Sequence, residues 1–255
     1  MIGLAVFAQV GEALRFIVQR QPSVSGDAQI GGLGEIGSLT ASHLAISFAA
    51  VAIGAAIAMP IGLYLGHIGR GEFVAVSASN VGRAVPVLAL LAFFIAYLGI
   101  GVQTVIFVLI LLAIPPILTN TYVGVRQVDR DAVDAARGMG LSEGQIIRQV
   151  ELPMALPIIF GALRLSTINV VATATIAPLA NFPTLGTPII EPQTYGIPGQ
   201  IGSAIVIAGI ALVLYALLGA LQSALTPKGL KLAAAEARGG GRGPFSFLKR
   251  RLRAA

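Results

Sequence analysis

No cysteine occurs in the 255 residues, which excludes disulfides, thiolate metal sites and cysteine nucleophiles. Histidine is nearly absent. His43 and His67 stand outside any metal-ligand spacing, and each reads as a polar residue near the end of a hydrophobic stretch. The three lysines, Lys228, Lys231 and Lys249, crowd the C-terminus, and none completes a Gly-x4-Gly-Lys-Ser/Thr phosphate loop. Binding ATP by that route is excluded, so any ATP energy must come from a partner. Charge is scarce too: 11% of residues are charged against 56% hydrophobic, the balance of a polytopic membrane protein and not of a soluble core.

Apolar runs are what the chain has in quantity. Five stretches, at residues 44–65, 77–98, 102–122, 155–179 and 201–225, are each about as long as the hydrocarbon thickness demands. Pro60 is expected to kink the end of the first, and Pro115–Pro116 to bend the third. Residues 1–40 read as an interfacial, extracytoplasmic segment: the apolar start is interrupted by Gln9, Glu12 and Arg15, and the glycine-rich stretch 22–37 as a linker. A membrane domain over 41–226 follows, then a basic tail over 227–255 that reads as a solvated anchor or a contact with anionic lipid. No aromatic-interleaved basic motif is present, so nucleic acid is not an expected partner.

One long interior segment, 126–153, is hydrophilic. Asp129, Asp131 and Asp134 crowd the expected start of a short helix, where carboxylates suit the positive dipole end. Gly138 and Gly140 stop it, and Ser142 with Gln145 resembles a capping box that opens a second helix ending before Pro153. Ala135 and Ala136 are expected on the surface of this hairpin, open to close approach. If the loop is cytoplasmic, Arg70, Arg126, Arg130, Arg137, Arg148 and the eight basic residues after Thr226 lie inside, and only Arg15 and Arg20 outside. That bias puts the N-terminus outside and the C-terminus in the cytoplasm.

At these residues the chain resembles the permease subunits of binding-protein-dependent ABC importers. Their cytoplasmic signature is Glu-Ala-Ala, three residues, Gly, nine residues, then Ile-x-Leu-Pro; here Asp134-Ala135-Ala136, Gly140 and Val150-Glu151-Leu152-Pro153 fall at that spacing. Asp for Glu and Val for Ile keep charge and shape. The stretch from Asn80 to Leu91, the run Gly138-Met139-Gly140-Leu141, the run from Val170 to Thr175 and the Thr226-Pro227-Lys228-Gly229-Leu230 ending look like the osmoprotectant and quaternary-amine subfamily (glycine betaine, carnitine, choline). The segment Asn181-Phe182-Pro183-Thr184-Leu185-Gly186-Thr187 departs from that subfamily's usual Gly-Gly-Leu-Gly turn.

The resemblance implies an all-α membrane protein of about five spans in the type I ABC importer permease fold, with a cytoplasmic coupling-helix loop. It implies a bacterial inner-membrane location and no catalysis or cofactor of its own. The partners it implies are two ATPase subunits, a second permease (identical or paralogous) and an extracytoplasmic solute-binding protein. Asp134, Ala135, Ala136, Gly140, Leu141, Val150, Leu152 and Pro153 would then form the ATPase-coupling loop.

The pathway is less marked. Ser166, Asn169 and Thr173 fall on one face of the fourth span and either line a polar conduit or pack between helices. Arg164 is an intramembrane charge, a functional candidate that at its depth can also reach back to the interface. Phe93, Phe94 and Tyr97 offer faces to a trimethylammonium group but read first as an interfacial belt. A permease for another small solute such as an amino acid is the alternative. An ion-coupled secondary transporter would need membrane-embedded carboxylates, and the five stretches contain none.

Overall fold

The computed structural model describes residues 2–226 apart from 74, 76, 78, 79 and 81–83, so part of the Asn80–Leu91 stretch and the basic tail after Thr226 lie outside the described residues. In chain order come α1 (Ile2–Val18), a hairpin of β1 (Arg20–Pro22) and β2 (Gln29–Gly31), α2 (Gly32–His67), α3 (Val87–Leu98) and α4 (Val102–Arg126). After these come α5 (Arg130–Gly138), α6 (Glu143–Ile146), a π turn (Ile147–Glu151), α7 (Leu152–Thr173), a 3-10 stretch (Ala174–Ala180), α8 (Thr187–Ile190) and α9 (Pro192–Leu225).

Four helical segments are long and apolar enough to cross a membrane: α2, α4, the run from Glu143 to Ala180, and α9. The expected span at 77–98 is not among them; Val87–Leu98 is a shorter apolar helix. A run that the sequence presents as one helix from 77 to 98 bends at Val85, because Pro86 sits in extended backbone (φ −64°, ψ 119°) and caps α3. Proline disfavours helical backbone in the residue before it, which accounts for a break within an apolar stretch. Pro60, Pro115 and Pro116, by contrast, all lie inside helices that continue past them.

Three buried clusters divide the molecule by level. The central one joins α2, α3, α4 and α7 through Ile46, Ala50, Leu91, Leu109, Ile117 and Val170. Toward the hydrophilic hairpin, Val125, Val133, Ala136, Ile146, Ala155 and Ile159 form the second. At the opposite end Phe16, Ile30, Ile36, Leu39 and Leu185 form the third. This last cluster changes the reading of the N-terminal segment. Helix α1 packs on α9, where a Cβ at Gly202 would meet Phe16 Cδ1 at 2.9 Å and the Ala13 carbonyl oxygen at 3.1 Å. The stretch 22–37 is no plain linker either: α2 begins at Gly32, and Glu35 Oε2 accepts the Gly31 N–H at 2.7 Å while Oε1 accepts the Tyr195 hydroxyl at 2.7 Å. With 36 residues, α2 is about 54 Å long. It therefore runs from the third cluster to the hydrophilic hairpin as one rod.

Candidate functional site

The hairpin over 126–153 is built from local signals. Asp129 caps α5, its Oδ1 accepting the Asp131 N–H at 3.0 Å. Gly140 ends it: at φ +85° it donates its N–H to the Arg137 carbonyl (3.0 Å), and Leu141 donates to the Ala136 carbonyl (3.2 Å). These are the two bonds of a Schellman closure, so Gly140 is the stop and Gly138 is still helical. Ser142 then opens α6, its N–H donating to Gln145 Oε1 at 2.8 Å. Gly140→Val should destabilise the closure by about 1–2 kcal/mol, because a branched side chain at positive φ is strained. Faster amide hydrogen exchange across residues 136–146 would report it.

The hairpin has an open ridge and a buried underside. Asp134, Ala135, Arg137, Met139 and Gly140 are exposed, and a Cβ at Gly140 would meet nothing within 4 Å. Ala136 is buried in the second cluster, with Leu141, Val150 and Leu152 packed against it. So of the two alanines expected on the surface, only Ala135 is there. The ridge is braced by a charge fork: Arg137 Nε and Nη2 donate to the two oxygens of Glu143 (3.0 and 3.1 Å), and Nη1 donates to Asp134 (3.0 Å). The hydrogen bond from Arg137 holds the Glu143 carboxyl below its ordinary range.

From the hairpin the chain enters α7 through the π turn. The Leu152 N–H reaches back five residues to the Ile147 carbonyl. Pro153 follows at once, and its ring cannot accept a normal carbonyl four residues earlier; the widened turn accommodates it. Val150, Leu152 and Pro153 thus lie at the joint between the hairpin and α7.

The sequence missed the ion pairs behind this joint. Glu151 has no exposed surface, and its Oε2 lies 2.8 Å from His67 Nδ1. His67 Nε2 lies 3.0 Å from Glu143, and Arg130 Nη1 lies 3.9 Å from Glu151 Oε1. One signal was available. Glu151 is a carboxylate flanked by Val150 and Leu152, and a buried carboxylate needs a partner.

The expected pathway residues are not brought together. Ser166 is buried and donates to the Ala113 carbonyl at 3.3 Å, tying α7 to α4. Asn169 is exposed and Thr173 half-buried. The Arg164 guanidinium carbon lies 4.3 Å from the centre of the Tyr215 ring, a cation–π contact between α7 and α9. Phe93 meets Phe94 edge-on (5.2 Å) and Tyr97 at a tilt (4.6 Å), and Phe93 and Tyr97 are both exposed.

Residues 58–230 match the family model described as binding-protein-dependent transport system inner membrane component. The carnitine transport permease protein OpuCB of Listeria monocytogenes is 39% identical over 203 residues, covering 79% of this chain and 91% of that protein. The glycine betaine/carnitine/choline transport system permease protein OpuCB of Bacillus subtilis (strain 168) is 33% identical over 204 residues, covering 78% and 92%. Among solved structures, an inward-facing form of the MetNI methionine ABC transporter superposes with a TM-score of 0.66 at 24% identity, over 76% of this chain and 98% of that one. At that identity the superposition speaks for the fold alone.

Proposed function

This chain belongs to the inner membrane components of binding-protein-dependent transport systems, and from that premise we propose that it is the permease subunit of an ATP-driven importer for a quaternary-amine compatible solute. The similarity to permeases named for carnitine, choline and glycine betaine supports the solute class. One observation carries the mechanism: an exposed ridge with Ala135 and Gly140 at its crest, backed by a packed underside and joined through Leu152–Pro153 to α7. A small-residue crest lets another protein's groove close on it, and a rigid backing turns that contact into a push.

In this reading ATP hydrolysis belongs to two separate ATPase subunits seated on this ridge and on that of a second permease, identical or paralogous. An extracytoplasmic receptor delivers the solute to the opposite face. The ridge, Arg126 and Arg70 lie in the cytoplasm with the C-terminus, and the N-terminus lies outside, in keeping with the positive-inside bias. Asn169 and Thr173 line the conduit; Ser166 serves packing, and Arg164 holds α7 to α9.

The test is reconstitution of the chain in lipid with its ATPase, second permease and receptor, reading receptor-stimulated ATP hydrolysis across glycine betaine, choline, carnitine and unrelated amino acids. Stimulation by the quaternary amines is the expected result. Stimulation by amino acids alone overturns the solute class, and failure of any ATPase to bind overturns the subunit role.

A further inference from the structure

Behind the docking ridge lies a second ionic assembly, and its role, as inferred here, rests on the permease reading above. His67 is the last residue of α2; Glu143 opens α6 and Glu151 closes the π turn. Each ring nitrogen faces a different carboxylate, at 2.8 Å (Glu151) and 3.0 Å (Glu143). An ionised carboxylate only accepts, so both ring nitrogens must donate, and the imidazolium is the form that satisfies both. Because the carboxylates sit at opposite edges of the ring, they do not converge on one point where a metal ion would fit. The charged groups facing this assembly are Arg130, 3.9 Å from Glu151, and Arg137, which forks onto Glu143 and also holds Asp134.

Exposure differs sharply along the chain of contacts. The Glu143 side chain is 56% exposed, His67 9% and Glu151 0%. The ring therefore connects a surface carboxylate on the hairpin to a fully buried one at the root of α7, while its own backbone belongs to α2. A buried carboxylate that loses its hydrogen-bonding donor keeps only the more distant Arg130 to offset its charge, so His67 and Glu151 hold each other in place. No other side-chain hydrogen bond or ion pair among the described residues joins α2 to this hairpin.

We propose that His67 is a positioning residue of the coupling step: as an imidazolium it locks the docking hairpin to the end of α2, so that displacement of the ridge reaches α2 and α7 together. A side chain that cannot donate at both edges frees one of the two carboxylates and loosens the lock.

The experiment uses the full reconstituted complex and measures glycine betaine moved per ATP hydrolysed. His67→Gln keeps one donor and no charge; it should lower the ratio about tenfold, as expected for a lost charge-assisted bond. His67→Arg, which restores charge and donors, should recover part of the ratio, a rescue that a merely structural role for the ring would not give. Glu143→Gln leaves Glu151 paired, so the fold is kept, and should lower the ratio by a smaller factor. Wild-type ratios in both His67→Gln and Glu143→Gln overturn the lock while leaving the permease role standing. A wild-type complex with no receptor-stimulated hydrolysis overturns the permease role and the lock with it.

Discussion

Gly62→Leu is expected to destabilise the bundle by about 3 kcal/mol, the upper end of overpacking costs. The reason lies in how closely α2 and α4 approach. A Cβ at Gly62 would stand 2.7 Å from Thr121 Cβ and 2.9 Å from the Leu118 carbonyl oxygen, and a backbone carbonyl cannot swing away. The same face carries Gly54, whose Cβ would meet Ala113 Cβ at 2.9 Å, and Gly66, whose Cβ would meet Val125 Cβ at 2.7 Å; Ala58 between them is fully buried. Residues at every fourth position with no side chain beyond a methyl let two backbones touch, which is how helices associate where lipid supplies no hydrophobic drive. Thermal unfolding in detergent checks the effect. Gly209→Leu, at an exposed position of α9 with nothing within 4 Å, is the control and should be neutral. Equal melting of the two variants would remove the close approach from the account.

The second large effect separates docking from folding with two neighbouring alanines. Ala136→Asp places a carboxylate in the apolar cluster of Val125, Val133 and Ile146 and should destabilise the hairpin by at least about 3 kcal/mol. Ala135→Asp points outward and should leave melting unchanged. Its expected effect is on assembly: beside Asp134 it adds a second negative charge and bulk to the crest, so binding of the ATPase should weaken about a hundredfold. Melting and ATPase pull-down, measured on both variants, distinguish the cases. A crest that tolerates Ala135→Asp in pull-down and transport is not the docking surface.

The parts of the molecule that could be read from sequence are those whose causes are local. Asp129, Gly140, Ser142 and Gln145 fix the hairpin within a few residues of themselves, and each does in space what its type and spacing announced. Which alanine faces out depends on where α4 and α7 pass beneath, and no spacing inside the hairpin states that. The contact between His67 and Glu151 spans 84 positions, and the hydrogen bond from Tyr195 to Glu35 at the start of α2 spans 160. A glycine-rich start therefore looked like a linker when its helix is held from the far end of the chain. The break at Pro86 had a local cause in plain view, hidden by the apolar run on both sides. Ser166, Asn169 and Thr173 share a helix face by number, yet α4 covers the first and leaves the second open.

The uninterrupted length of α2 has one more consequence. One end is held by Glu35 to Tyr195 and the other by His67 to Glu151, so a single stiff element is fastened at both ends. Such an element has no preferred direction of travel for a signal. If nucleotide on the ATPase alters the affinity for the receptor by some factor, receptor binding must alter the nucleotide affinity by that same factor, as thermodynamic linkage requires. In the proposed importer the two ends of α2 then make receptor and nucleotide reciprocal effectors. Paired titrations, receptor against nucleotide and nucleotide against receptor, should return one coupling constant.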